Sequence, residues 1–317
     1  MTAPPRDHAA EPRHGSPGGH LSVLLDEALA WLDPKPGGRY CDATLGAGGH
    51  AAAVLERSAP DGRLIGLDRD PAALATAKAQ LERFGDRVTL VHARFSEARA
   101  VLERLGMIPV DGFLVDLGVS SPQLDRAERG FSFRLDGPLD MRMDPTTGES
   151  AADLLRRVDE AELTRIIRDQ GEERHAARVA RAIIDARRAG PVETTGKLAA
   201  IVARASPRHE HGKNPATRTF QALRIAVNDE LGEIERFLAV AADCLRPGGR
   251  LVVIAFHSLE DRIVKYRLRE LAGRGGAGSA NPPLLRLLTK HVVVPGDEER
   301  ARNPRARSAR LRAAERL

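Results

Sequence analysis

Short apolar runs alternate, over the first third of the chain, with segments whose apolar positions recur every three or four residues. This is the pattern of strands buried on both faces and separated by amphipathic helices. Val23, Leu24, Ala28 and Leu29 share one face of a helix expected over 20–32. An apolar run opening at Tyr40 breaks into glycines and resumes with helical spacing over 51–57, which reads as strand, tight turn and helix. Strands are expected at 63–68, 87–92 and 112–117, with helices opened by Pro71 and over 96–105 between them. The alternation predicts a doubly wound parallel α/β sheet.

From 125 to 213 the pattern changes to helical periodicity alone. Helices are expected at 150–157, begun by a capping box of Ser150 and Asp153, and at 159–168, 173–188 and 195–205. An apolar stripe from Phe220 through Val227, Ile234 and Leu238 to Leu245 predicts one long helix over 217–245. Pro247, Gly248 and Gly249 turn the chain into a fifth strand at 250–256. A Gly- and Pro-rich loop at 273–283 precedes a closing pair of strands at 284–294 and 308–313. The expected organisation is a disordered leader at 1–19, a sheet domain from 20–124 and 214–317, and a helical substrate-binding insert at 125–213.

Chemistry first enters at the glycine turn. A helix start facing the carboxyl ends of parallel strands offers unpaired amides to a ligand. Gly46 and Gly48 are expected to let the main chain approach that ligand, and Asp68 ends the second strand where ribose hydroxyls are commonly held. Gly46, Gly48 and Ala51 equally fit the G-x-G-x-x-A turn of an NAD-binding oxidoreductase. Asp42, placed before the glycines, would repel a pyrophosphate and attract an ammonium group, so it favours S-adenosylmethionine.

Composition narrows the setting. The 317 residues are 42% hydrophobic and only 3% aromatic, with net charge +5 and a pI near 9.6, which suits a polyanionic partner. Cys41 and Cys244 belong to no C-x-x-C pair, so they read as buried thiols in a reducing compartment, with neither a disulfide framework nor a zinc site. No apolar run approaches membrane-spanning length and the N-terminus lacks a hydrophobic signal core, so a cytoplasmic location is expected.

The fourth strand ends in D-L-G-V-S-S-P-Q, residues 116–123, at the same sheet edge as the glycine turn. Cytosine's exocyclic amine is a poor nucleophile because its lone pair is delocalised into the ring. Amino-methylases orient it with a polar-Pro-Pro-aromatic loop after this strand. Ser121 and Pro122 resemble the start of such a loop, while Gln123 and Leu124 depart from it.

Eight segments in order resemble the MraW family: H-L-S-V-L-L-D-E-A, D-A-T-L-G-A-G-G-H, D-L-G-V-S-S-P-Q-L-D, R-G-F-S-F, P-L-D-M-R-M-D, T-R-T-F-Q-A-L-R-I, F-H-S-L-E-D-R-I-V-K and N-P-R-A-R-S. The resemblance runs from residue 20 to 317. It implies a Rossmann-like class I methyltransferase sheet with an inserted all-α domain, and S-adenosylmethionine-dependent N4-methylation of a cytidine in the decoding region of small-subunit ribosomal RNA. It places cofactor contacts at Gly48, Gly49, His50, Asp68, Phe95, Asp116 and Gln123. The implied partner is that RNA within the assembled or assembling small subunit, with a homodimer possible. The other readings are a non-catalytic RNA-binding protein on the same fold and an NAD-dependent oxidoreductase.

Ser121, Asp140 and His257 are the catalytic candidates. His257 follows the fifth strand, but a capping box of Ser258 and Asp261 explains its segment as helix initiation. Asp140, Asn214 and Arg218 lie at the two ends of the insert, where hinge and substrate roles both fit. Arg302, Arg305, Arg307, Arg310 and Arg312 form a basic tail with little opposing charge, suited to phosphates. Phe131 and Phe133 could stack on a flipped base or anchor the insert.

Overall fold

A computed structural model describes residues 21–206, 214–274 and 282–317. The expected leader, the boundary at 213 and most of the loop at 273–283 lie outside them.

The chain runs α1 (Leu25–Leu32), β1 (Arg39–Asp42), α2 (Gly49–Arg57), β2 (Arg63–Asp68), α3 (Pro71–Leu81), β3 (Val88–His92), α4 (Ala98–Arg104), β4 (Val110–Asp116) and α5 (Ser121–Asp125). Helices α6 (Ala151–Arg157), α7 (Glu160–Gly171), α8 (Ala176–Ala189), α9 (Thr195–Ala205), α10 (Thr217–Asn228) and α11 (Glu230–Cys244) follow. The chain closes with β5 (Leu245–Ala255), α12 (Ser258–Leu271), β6 (Leu285–Leu287), α13 (Asp297–Arg302) and β7 (Arg310–Arg316).

Among the described residues the strands form one sheet in the order β3-β2-β1-β4-β5-β7-β6. β1 lies parallel between β2 and β4, so successive crossovers leave it in opposite directions. That reversal opens a crevice at the carboxyl ends of β1 and β4. β7 runs antiparallel between β5 and β6. The C-terminal strand therefore lies inside the sheet, with the short β6 at its edge. Two apolar layers cover the sheet. Phe113, Val253, Phe237 and Val264 belong to one, and Leu55, Leu64, Val252 and Leu311 to the other.

A third apolar cluster joins α6 to α10, with Leu155, Leu163, Ile183 and Leu198 at less than 2% exposure. Ser150 caps α6 in the expected box, its Oγ accepting from the Asp153 amide at 3.1 Å. The first helix begins at Leu25, later than the periodicity suggested, because Leu24 is left-handed with φ 51°.

The single helix expected over 217–245 is two. Asp229 adopts φ 49°, ψ 41° and ends α10. An aspartate tolerates this conformation better than most residues, and one left-handed residue scarcely disturbs an apolar stripe. The stripe also changes its target at the break. Phe220 and Leu223 pack in the helical cluster, whereas Ile234, Leu238 and Ala241 pack on the sheet. In packing terms α10 thus goes with the helices before it.

Candidate active site

β1 and β2 end in carboxylates beside the glycine turn. The amide of Gly46 donates to Asp68 Oδ2 at 2.8 Å and the amide of Asp70 to Asp68 Oδ1 at 2.8 Å, so Asp68 ties the turn to the start of α3. Gly46 and Gly48 have φ of 54° and 89°, conformations that favour glycine. A Cβ at Gly46 would meet nothing within 4 Å, so its backbone angle rather than a close approach requires glycine there. At Gly49 a Cβ would lie 2.2 Å from Ser22 Oγ.

Three carboxyl groups gather here, and among the described residues none of them forms an ion pair with a Lys or Arg side chain. Asp42 is 2% exposed, and its Oδ2 has no hydrogen-bond partner among the described residues. Burial pushes its carboxyl from the ordinary 3.8 to about 7, with the charge of Asp68 adding to the rise. Burial likewise pushes Asp68 to about 6, reinforced by Asp70 and opposed by the two amides it accepts from. Asp116 ends β4 and is driven well above the usual carboxylate range by burial, then by Asp42 and Glu260; its Oδ1 is also unpartnered. Thr44 Oγ1, which accepts from the Asp116 amide at 2.6 Å, locks the two strand ends together.

A cleft opens above this floor. Of the seven expected cofactor contacts, Gly49, His50, Asp68, Phe95, Asp116 and Gln123 line it. Gly48 is not among the lining residues, and a Cβ there would lie 3.2 Å from Leu81. His50 Nε2 is 3.0 Å from the Val23 carbonyl, leaving Nδ1 toward Asp116 at 3.9 Å. Phe95 meets Phe237 edge to face at 5.9 Å between centroids. Gln123 is engaged on both ends of its amide: Oε1 accepts from the Ser120 amide at 2.9 Å, and Nε2 donates to Asp70 Oδ2 at 2.9 Å. It holds the loop after β4 in place.

Only Ser121 of the three catalytic candidates is on the cleft wall, in the first turn of α5. Asp140 instead grips the Arg142 guanidinium through both oxygens, at 2.8 and 2.7 Å. His257 is the N-cap of α12, and Glu260 is its reciprocal partner, so the capping box lies one residue earlier than Ser258 and Asp261 suggested. Burial would raise the carboxyl of Glu260, but His257, Arg224 and the Phe256 amide together hold it below its ordinary value. Glu230, His257 and Glu260 bring ligand atoms within 4.8 Å of one another. Arg224, bound to both oxygens of Glu230 at 2.7 and 2.8 Å, already supplies the positive charge there.

Asn214 closes a turn just before α10, its Oδ1 accepting from the Ala216 amide at 2.9 Å, and Arg218 approaches Glu173 at 3.7 Å. The basic tail is largely paired, contrary to expectation. Arg302 meets Glu298 and Arg305 meets Asp125, while Arg310 and Arg312 both reach Asp261. Phe131 is buried and Phe133 meets Phe220 edge to face at 5.1 Å, so the anchoring reading holds for this pair.

Several contributors were not singled out in the sequence. Arg129 donates to Asp70 Oδ2 at 2.7 Å and to the carbonyls of Arg142 and Met143 at 3.0 and 2.9 Å. Asn228, at the end of α10, accepts from the Met143 amide and donates to the Met141 carbonyl. Asp70 had a local signal, since it precedes Pro71 and caps α3. Arg129 and Asn228 had none, because their partners are distant in the chain.

Residues 18–317 match the MraW methylase family. The chain is 56% identical over 308 residues to ribosomal RNA small subunit methyltransferase H of Nitratidesulfovibrio vulgaris (strain DP4), covering 94% of this chain and 95% of that one. It is 55% identical over 307 residues to the protein of the same name from Geobacter sulfurreducens, covering 94% and 99%. Among solved structures, a SAM-dependent O-methyltransferase from Thermotoga maritima aligns with a TM-score of 0.41 at 11% identity, covering 92% and 64%.

Proposed function

The chain belongs to the MraW methylase family, and we infer that it transfers a methyl group from S-adenosylmethionine to the N4 amine of a cytidine in the decoding region of small-subunit ribosomal RNA. The observation that carries this reading is the unneutralised acid floor. Asp42 Oδ2 and Asp116 Oδ1 are buried carboxyl oxygens without partners beside a glycine turn. A ligand bearing an ammonium and a sulfonium would supply the missing positive charge, whereas the pyrophosphate of NAD would add to the repulsion. The residues therefore fit S-adenosylmethionine, which supplies an electrophilic methyl group.

The chain's own groups divide the remaining work. Asp68 offers carboxylate lone pairs to ribose hydroxyls, and Phe95 offers an apolar wall to the adenine. The Gln123 and Asp70 pairing fixes the loop at 117–123, so Ser121 stands at a set place on the wall where the target amine would be oriented. In the free protein burial favours the protonated form of Asp116. A cation beside it draws it toward the ionised form, so the carboxyl nearest that loop has a charge that depends on what occupies the cleft.

The substrate we propose is the assembled or partly assembled small subunit. Phe131 is buried in the helical cluster and Phe133 is partly buried against it, which leaves little ring face for base stacking. Recognition then depends on the shape of a folded target and on phosphate contacts, for which exposed Arg126 stands at the cleft beside Arg305, which is paired with Asp125. The test compares methyl incorporation into a short oligonucleotide, protein-free small-subunit RNA and the particle across a salt series. The particle should be the best substrate and its rate should fall with salt. Equal rates on all three would instead indicate a reader of local sequence.

A further inference from the structure

With the two expected stacking rings packed away, the aromatic surface of the protein is elsewhere. Tyr266 is 60% exposed and is the only aromatic among the exposed large hydrophobic side chains of the described residues. It stands on the outer face of α12, whose inner face packs Val264 and Leu268 into the core beneath the sheet.

Arg262 and Arg269 lie one turn before and one turn after Tyr266 on the same exposed line, at the i, i+4, i+7 spacing of a single helix face. Lys265 Nζ lies 5.8 Å from the centre of the Tyr266 ring. The acids nearby are few and engaged, since Glu270 pairs with Arg267 and Glu172 receives both Ser258 and Arg262. Tyr266 is exposed and flanked by Lys265 and Arg262, so the stripe suits a charged partner with flat faces better than an apolar one.

Its position relates it to the cleft. Phe256 and Glu260, at the base of α12, line the cleft wall. At the helical rise Tyr266 stands about 9 Å along the axis from Glu260, and Arg269 about 14 Å. That is too far for the reacting base and suitable for the strand that leads to it.

We propose that the stripe Arg262, Tyr266 and Arg269 is a track for single-stranded RNA flanking the target nucleotide, with Tyr266 stacking on an unpaired base and the cations meeting its phosphates. This rests on the reading above that the cleft takes a ribosomal RNA nucleotide. An aromatic interleaved with cations is the arrangement that binds single strands with little sequence preference, because every base has a flat face. It would hold the strand while the helical unit and the loop after β4 position the target.

Binding of protein-free small-subunit RNA and of the particle is measured for the parent, Tyr266→Ala, Tyr266→Phe and Arg269→Ala, with methyl transfer and S-adenosylmethionine affinity followed in parallel. Tyr266→Ala should weaken RNA binding by roughly five- to a hundred-fold, raising KM for RNA and leaving kcat and cofactor affinity unchanged. Tyr266→Phe should bind like the parent. Arg269→Ala should reduce the slope of log affinity against log salt by about one. Tyr266 and Arg269 are exposed, so thermal melting should be unaltered in all three. Binding and salt slope equal to the parent's would overturn the track, as would weakening seen on the particle alone, which would assign the stripe to a ribosomal protein. Because binding is read directly, a parent that bound RNA but methylated none of it would refute the activity and leave the track to be decided by these variants.

Discussion

Two groups of carboxylates lie along the same sheet edge and are treated in opposite ways. Asp42, Asp68 and Asp116 are crowded together with no Lys or Arg ion pair among the described residues, only His50 approaching Asp116 at 3.9 Å, and their carboxyls are pushed upward. A few residues away, Asp70 is matched by Arg129, Asp140 by Arg142 and Asp144 by His92 at 3.1 Å. The pairs of Asp70 with Arg129 and of Asp144 with His92 join residues 126–144 to the ends of the strands, and Asn228 and Arg129 complete the latch with hydrogen bonds to the main chain there. Paired charges here hold structure, and the unpaired ones are where we propose that a positively charged ligand sits. The sheet's carboxyl edge therefore carries both a fixed joint and an unsatisfied electrostatic demand.

Breaking the paired side should have the largest effect. Arg129→Met leaves the Asp70 carboxylate buried without its cation and takes donors from two carbonyls. It should cost about 3–5 kcal/mol of stability, read as a lower denaturant midpoint. A midpoint unchanged from the parent would mean that the latch is not what joins the helical unit to the sheet.

The unpaired side should respond in binding. Asp68→Ala should weaken S-adenosylmethionine by about 1–3 kcal/mol in calorimetry, because ribose hydroxyls lose a charged acceptor. It should also lower the melting temperature, since the amides of Gly46 and Asp70 lose theirs. Unchanged affinity with a lowered melting temperature would make Asp68 a support of the turn only.

The same contrast separates what could be read in the sequence from what could not. β2 falls at 63–68 as expected, because a strand buried on both faces is a continuous apolar run bounded by turns. The carboxylates at the ends of β1, β2 and β4 were legible for the same reason, each closing such a run. The break at Asp229 was not, since one left-handed residue leaves the stripe intact while redirecting it from one core to another. Nor was the pairing of the basic tail, because Asp125 and Asp261 are 180 and 51 residues from Arg305 and Arg312. Gly48 shows the limit at a single position. Its motif marks the turn, but the side of Gly48 on which a side chain would stand is taken by Leu81. Tyr266 carried no signal, since exposure of an aromatic on a regular amphipathic helix depends on what the neighbouring elements leave uncovered.

The acid floor makes a claim about protons. A carboxyl raised from 3.8 to about 7 in the folded protein costs stability as pH rises through that interval, with the full cost above about 7. A cationic ligand reverses this preference, because it favours the ionised form. Below about pH 7 its binding must displace the proton of Asp42, and below about pH 6 that of Asp68 as well. The direct measurement is calorimetric titration of S-adenosylmethionine from pH 5.5 to 8.5 in buffers of differing ionisation heat, on the parent and on Asp42→Asn. Affinity for the parent should rise with pH and with proton release, by up to about tenfold per pH unit for each carboxyl that gives up its proton, and most steeply below about pH 6 where Asp42 and Asp68 both do. In Asp42→Asn the release and the slope should diminish. A parent affinity that is flat across this range, with no protons released, would contradict the account of the floor as a site awaiting positive charge.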